Sequence, residues 1–372
     1  MTTQTFNVGI IGYGLSAKTF HIPFVLLTPS LVLHSIVQRT PTASNSAPSD
    51  FPSLMHHTTT ASLLSSPEID VVIITTPPNT HFSLARDALL AGKHVLVEKP
   101  FVPSSAEAYA LADLARQQGR IICVYQNRRW DSDFLTVSKL LRDNTLGRIV
   151  EFETHFDRLR LEKPTTWKGM LGISEGGGVL YDLGTHLLDQ VYVLFGMPTG
   201  VTGKFVNQRE GRLVTGEGEG QEPDSVALVL SYEGSGMLVY VRSGVASVER
   251  EQLRFWVRGG KGSYRKMGLD PQEDWLRAGG QATDAGFGRE VEGRYGKLCI
   301  VGEEGVVEER VCETVEPETY KRFYELFAKA VESGKEEDVP VSATQAAQVL
   351  AIIEAARESA RTGKEVVPVI RT

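Results

Sequence analysis

Short apolar runs alternate with amphipathic stretches along the first third of the chain. Residues 6–11, FNVGII, form one run and residues 32–37, VLHSIV, another, with a helical pattern between them over 15–27. DVVIITTPP (70–78), HVLVEKP (94–100) and RIICVY (120–125) continue the series. THFSLARDALLAG (80–92) and SSAEAYALADLARQQG (104–119) supply the intervening helical patterns. Strands alternating with helices of about ten to fifteen residues read as right-handed βαβ units on a parallel sheet. The pattern predicts an α/β chain whose first domain, residues 1–126, is a doubly wound parallel sheet. Residues 43–52, ASNSAPSDFP, are rich in Ser, Pro and Asn, which predicts a surface loop after the second strand.

After residue 147 the texture changes. GRIVEFETHFD, SVALVLSYEG, MLVYVRSGV and LRFWVRGG follow one another with Gly-rich turns between them, as in an antiparallel sheet. The second domain, residues 127–372, is therefore expected to be α+β with a large, mostly antiparallel open sheet. GEGEGQEP (216–223) reads as a mobile hairpin tip. Two helical patterns close the chain, an amphipathic one over 317–334 and one over 342–363 that starts at an N-cap serine and ends in glycine. The closing helix is expected to be able to pack back on the first domain.

A length of 372 residues exceeds what one hydrophobic core usually supports and agrees with two domains. The net charge of −7, without any Lys/Arg run, argues against a nucleic-acid partner. Three cysteines, Cys123, Cys299 and Cys312, make an odd count with no CxxC spacing, so a reducing compartment fits better than a disulfide framework. The N-terminus, MTTQTFNVGIIGYG, lacks a charged and apolar leader, and no run of about eighteen apolar residues occurs. The expectation is a cytoplasmic protein without a membrane partner.

GIIGYGLSAKTF places Gly12, Gly14 and Ala17 in a G-x-G-x-x-A arrangement directly after the first strand. Gly12 permits the tight turn, Gly14 lets the backbone approach a pyrophosphate, and Ala17 lets the helix pack closely on the strand. Tyr13, Leu15 and Ser16 complete this phosphate-binding turn, and the helix N-terminus supplies free N–H groups and a positive dipole end. At the end of the second strand, SIVQRTP offers Gln38, Arg39 and Thr40 but no acid for a ribose 2′-hydroxyl. Arg39 can pair with a 2′-phosphate through its planar fork and Thr40 can add a hydrogen bond, which favours NADP(H) over NAD(H). An ordinary solvated charge is the alternative for Arg39.

VLVEKP puts Glu98, Lys99 and Pro100 at the carboxyl end of a strand, where open α/β sheets place their ligands. GGGVLYDLGTHLLD (176–189) holds Asp182 and His186 four residues apart, on one face if helical. The preceding glycines suit close backbone approach to a ligand. A metal is not expected there, because zinc needs three or four ligands and only Asp189 is added nearby. A structural histidine capped by Asp182 is the bland alternative. Asn127, Arg128 and Arg129 follow the last strand and are candidates to reach cofactor or substrate, one arginine being a plain salt-bridge partner. Trp130 and Trp167 could wall a sugar ring, although core packing is the commoner use of tryptophan. His21 and His81 lie near the cofactor loops but read as helix-start or packing residues rather than as catalysts. His155 and Asp157 in ETHFDR carry the weakest signal.

In GYGLSAKTFHIPF, VIITTPPNTHF, AGKHVLVEKP, NRRWDSDF, GGGVLYDLGTHLLDQ and VSATQAAQVLAIIEAARESARTGKEV, the chain resembles the glucose-fructose oxidoreductase and inositol dehydrogenase (Gfo/Idh/MocA) family over nearly its whole length. The resemblance implies an N-terminal Rossmann domain and a reactive group of Lys99, Asp182 and His186. His186 suits the base that takes a hydroxyl proton, Lys99 would stabilise the developing alkoxide, and Asp182 would bind a second hydroxyl or tune the histidine. Thr76, Pro77 and Asn79 resemble the family's nicotinamide-side loop, with His81 and Glu98 counted beside them. Arg129 and Trp167 join the substrate-side residues. NRRWDSDF and GLDPQED resemble a branch of NADP-dependent sugar or inositol dehydrogenases.

The expected function is NADP-dependent hydride transfer to or from a carbon of a sugar, inositol or related polyol or keto-sugar. A non-catalytic NADP-binding sensor is the alternative from another class, against which the retention of Lys99, Asp182 and His186 counts. Reduction of a non-sugar substrate such as a diene or tetrapyrrole is a third reading, since fold does not determine function. The resemblance also implies a homodimer or higher oligomer in which a second subunit covers the open sheet, with the apolar strands over 226–245.

Overall fold

A computed structural model describes residues 4–216 and 222–371, so most of the expected hairpin tip lies outside the described residues. The chain forms two compact units. One comprises Met1–Asn127, Glu273–Phe287 and Glu318–Ala347, and the other Arg128–Gln272, Gly288–Pro317 and Gln348–Thr372.

In the first unit, β1 (Phe6–Ile11), β2 (Leu31–Val37), β3 (Met55–His57), β4 (Val71–Ile74), β5 (His94–Val97) and β6 (Ile122–Val124) form a parallel sheet in the order β3-β2-β1-β4-β5-β6. The apolar runs VVII and HVLV are buried along their whole length, as strands covered on both faces must be. The strand order reverses between β1 and β4, the switch point at which such sheets bind ligands. Helix Ser105–Gln118 is bounded as its sequence requires: the Ser104 hydroxyl accepts the Glu107 N–H, and Gly119 closes the helix in the left-handed conformation.

The expected plain loop at 43–52 contains a helical turn, Ala47–Asp50, and β3 follows it. Ser46 caps this turn and Pro48 lies in its first turn of helix, so the residues that read as loop are also a helix-start signal. The penultimate helix, Thr319–Ser333, packs its aromatic face within this unit: Tyr324 stacks on Phe24 and Phe323 meets the Tyr125 ring edge-on. Of the last helix, Ala343–Thr362, residues up to Ala347 belong to the first unit and the rest to the second.

The second unit is built on β7 (Ile149–His155), β8 (Gly200–Asn207), β9 (Arg212–Val214), β10 (Ser225–Tyr232), β11 (Met237–Ser243), β12 (Leu253–Gly259), β13 (Gly262–Met267), β14 (Gly296–Val301) and β15 (Val307–Cys312). They pair in the order β15-β14-β13-β12-β7-β11-β10-β8-β9, antiparallel except between β7 and β11. The architecture is thus the expected parallel sheet in one region and mostly antiparallel sheet in the other. Alternation sets the faces: Val226, Leu228, Leu230, Val239 and Val241 point into the core, while Ala227, Leu238 and Arg242 point out. Among the described residues no helix is long and apolar enough to cross a membrane.

Candidate active site

The glycine turn is shaped by contacts that only glycine permits. Gly12 has φ +103°, and a Cβ there would stand 2.7 Å from the Thr75 hydroxyl. A Cβ on Gly14 would meet nothing within 4 Å, so the backbone borders an open cradle of the kind a pyrophosphate occupies. Ala17 is fully buried, as close helix packing needs, and Leu15 is exposed. These features fit a dinucleotide whose phosphates lie against residues 12–16.

A brace behind the turn is built on Asp50, which no sequence motif marks. The Tyr13 hydroxyl donates to Asp50 Oδ2 at 2.6 Å, and Lys18 Nζ donates to the same oxygen from above the Tyr13 ring. Burial and the Asp50 carboxylate push the Tyr13 hydroxyl pKa up. Asn45 donates to the Tyr13 carbonyl, and the Gln38 amide donates to the Asn45 carbonyl while accepting from Ala47 N–H. Gln38 is thereby engaged in holding the 45–47 segment, whereas Arg39 and Thr40 stand exposed at the end of β2. Asp50 was hidden because it lies in the stretch whose composition reads as loop.

The carboxyl ends of β4 and β5 carry the next group. Glu98 is buried, and its Oε1 accepts from His21 Nε2 at 2.9 Å and from the Ser16 hydroxyl, while Oε2 accepts the Lys99 N–H at 2.9 Å. Burial works against the charge, but His21, Lys99 and Ser16 outweigh it and hold the carboxyl down to about 2. The Lys99–Pro100 bond is cis. His81 is fully buried and lies 2.7 Å from the Thr76 carbonyl and 3.0 Å from those of Pro100 and Phe101. Burial lowers its pKa despite these carbonyls, and its geometry is that of a brace between the two strand ends. Thr76 shares a hydrogen bond with Thr80, Pro77 precedes the 3₁₀ turn Pro78–Thr80, and Asn79 is exposed on that turn.

In the second unit, Asp182 lies in a π-turn, Leu180–Gly184, and His186 is the second residue of the α-helix Thr185–Phe195. The expected regular helix through both residues is therefore interrupted, a feature frequent at functional sites. His186 is 5% exposed. Asp182 Oδ1 accepts from Lys168 Nζ at 2.9 Å, and that ammonium lies 5.6 Å from the centre of the Trp167 ring, which is 38% exposed. Lys168 was missed because it carries no periodic or motif signal. The glycines before the π-turn have an internal reason as well: Gly176 and Gly178 have positive φ, and a Cβ on Gly177 would overlap the Leu171 carbonyl.

The segments NRRWDSDF and GLDPQED, far apart in sequence, share one buried polar cluster. Asp270 accepts from the Ser132 N–H and hydroxyl and from Gln272 N–H, and Gln272 donates to the Trp130 carbonyl. Arg254 donates to Asp133 at 3.0 Å, to Thr154 and to Gln190, and Arg128 donates to Asp131 at 3.0 Å. Arg129 grips Asp189 with a bidentate fork at 2.7 and 2.8 Å. Trp130 is buried, as is Asn127 at the end of the first unit. On β7, His155 lies between the Glu153 and Asp157 carboxylates, 2.8 and 2.9 Å away. Among the described residues no group of three or more His, Cys, Asp or Glu side chains is gathered as a metal ion would need.

A parallel sheet of this order with a glycine cradle at its switch point defines an NAD(P)-binding Rossmann domain. Residues 6–126 match the family model described as oxidoreductase family, NAD-binding Rossmann fold, and residues 138–369 match the C-terminal alpha/beta domain of the same family. The chain belongs to the Gfo/Idh/MocA family of oxidoreductases. It is 39% identical over 361 residues to an uncharacterized oxidoreductase, YdgJ, of Escherichia coli, covering 96% of this chain and 97% of that one. It is 33% identical to the scyllo-inositol 2-dehydrogenase (NADP(+)) IolW of Bacillus subtilis, over 96% of this chain and 94% of that protein. Among solved structures, YvaA of Bacillus subtilis superposes with a TM-score of 0.89 at 32% identity over 99% of both chains.

Proposed function

We propose that the protein is a cytoplasmic, NADP-dependent dehydrogenase or reductase of an inositol, sugar or related polyol. Similarity to a scyllo-inositol 2-dehydrogenase (NADP(+)) across 96% of the chain carries this reading. The exposed Arg39–Thr40 pair, with no acid at the end of β2, supports the 2′-phosphate preference. In this reading residues 1–126 bind cofactor and residues 127–372 serve substrate binding and oligomerisation.

Bound nicotinamide would supply or accept the hydride at C4. His186 would take the hydroxyl proton during oxidation and return it during reduction. Lys99 would hydrogen-bond the same substrate oxygen and stabilise its developing negative charge. Asp182, oriented by Lys168, would accept from a neighbouring hydroxyl, and Trp167 would present an apolar wall to the ring. Thr76, Pro77 and Asn79 would border the nicotinamide. Arg129, engaged by Asp189, would act on the substrate side by holding the helix Thr185–Phe195.

Fluorescence titration with NADPH and NADH, followed by turnover on a polyol and keto-sugar panel, tests the reading. Tighter NADPH binding, with turnover lost in Lys99→Ala and His186→Ala, is the expected result. NADPH binding without turnover on any substrate would move the protein to the sensor class. A homodimer formed through the outward face of the nine-stranded sheet, where Ala227 and Leu238 are exposed and Arg258 lies over Trp256, is part of the proposal. A monomeric mass by light scattering at micromolar concentration would contradict it.

A further inference from the structure

The helix after the glycine turn contains a π-turn, Ala17–His21, in which the Ile22 N–H reaches the Ala17 carbonyl five residues back. In a regular α-helix, residues five apart face directions about 140° apart around the axis. Here Ser16 and His21 are five apart, and both donate to the same oxygen, Glu98 Oε1. The π-turn is what lets them converge. The other oxygen of Glu98 accepts the backbone N–H of Lys99 at 2.9 Å. One carboxylate therefore joins the phosphate-binding turn, through Ser16, to the residue assigned to the substrate oxygen.

His21 is itself held from behind. It is fully buried, its Nδ1 is 2.6 Å from the Tyr324 hydroxyl, and its ring lies 4.5 Å from that of Tyr125. Glu98 as a carboxylate can only accept, so Nε2 is the donor to it. The ring thus has one engagement toward Lys99 and another toward the penultimate helix. A purely space-filling histidine at the start of a helix would need neither.

We propose that Ser16, His21 and Glu98 are positioning residues that fix Lys99 relative to the phosphate-binding turn, with Tyr324 orienting the His21 ring. The catalytic part of this proposal rests on the function proposed above; the placement of Lys99 does not.

The test compares His21→Gln with His21→Asn. The Gln amide reaches about as far as Nε2 and can keep the donor to Glu98, whereas the Asn amide reaches about as far as Nδ1 and keeps only the Tyr324 side. Two readouts are taken: the rate of Lys99 acylation by a succinimidyl ester in the cofactor-free protein, followed by peptide mass spectrometry, and kcat with NADPH on the best polyol. His21→Gln should keep the wild-type labelling rate and most of its turnover. His21→Asn should change the Lys99 labelling rate several-fold and lower kcat by roughly 10- to 100-fold, with NADPH affinity within about threefold of wild type. Glu98→Gln, which weakens acceptance from all three donors, should reproduce the Asn phenotype and covers the case in which His21→Asn does not fold. Equal labelling in both His21 variants and in Glu98→Gln would overturn the proposal. A wild type without turnover, but with the labelling contrast intact, would remove the functional reading and leave the positioning role standing.

Discussion

Glu98 in the first unit and Asp131 in the second are both buried acids beside cationic or donor groups, yet their carboxyls shift in opposite directions. Glu98 receives His21, Ser16 and the Lys99 N–H, so its charged form is favoured against the cost of burial. Asp131 is pushed well up, first by burial and then by Asp270, against the pull of Arg128, and Asp270 is raised by burial and Asp133. Three carboxyls there face two guanidinium groups, Arg128 and Arg254, so the neutral form is favoured at Asp131 and Asp270. Burial alone decides neither case. The balance of donors against competing acids does.

The sharpest way to break this contrast is to unbalance the second cluster. Asp133→Asn deprives Arg254, 1% exposed, of its carboxylate and should cost about 3–5 kcal/mol in urea unfolding. Next comes Glu98→Gln. A carboxyl depressed from 4.5 to about 2 contributes stability above its unfolded pKa and loses it as pH falls through the folded value. The variant should therefore be less stable than wild type by up to roughly 3 kcal/mol at pH 7. That gap should close between pH 4.5 and about 2, and a gap constant over this window would refute the ionised assignment.

A charge engaged inside the protein is likewise set apart from one exposed to solvent in Arg129 and Arg39. Arg39→Ala should weaken NADPH binding about tenfold, roughly 1.4 kcal/mol, with NADH unchanged. Arg129→Leu should lower stability and leave the NADPH/NADH ratio where it was, because its fork is on Asp189. A smaller effect than that of Asp133→Asn is expected from Asp131→Asn, since the neutral form of this acid is the one its surroundings favour. A raised acid makes the wild type lose stability as pH rises from 3.8 toward the folded value, so the variant should gain on it as pH rises above 3.8. A steady loss at every pH would instead mean an ionised Asp131.

The strands of the first sheet were legible because strands covered on both faces are continuous apolar runs, as in VVII and HVLV. β15, VEERVC, gave no such signal, since a largely exposed edge strand has little need of apolar residues. The glycine turn was legible for a stricter reason: few residues tolerate φ +103° beside Thr75. His21 read as a packing residue, and Lys168 and Asp50 did not stand out at all. Their partners are Glu98 and Tyr324, Asp182, and Tyr13, which lie 14 to 303 residues away in the chain. NRRWDSDF and GLDPQED stood out as a pair, but as a mark of cofactor and substrate class. Their meeting in one buried cluster gives them a structural role as well.

Sequence alone determined the element order, the two kinds of sheet, the glycine turn and the family, because each is set by local periodicity or by a backbone shape that few residues can adopt. Tertiary structure decided in which direction each buried carboxyl shifts, which arginine is engaged by an internal carboxylate, and that Ser16 and His21 meet on one oxygen of Glu98. Those properties depend on a three-dimensional count of donors, acceptors and charges around each group, and residues that share such a shell need not be near one another in the chain.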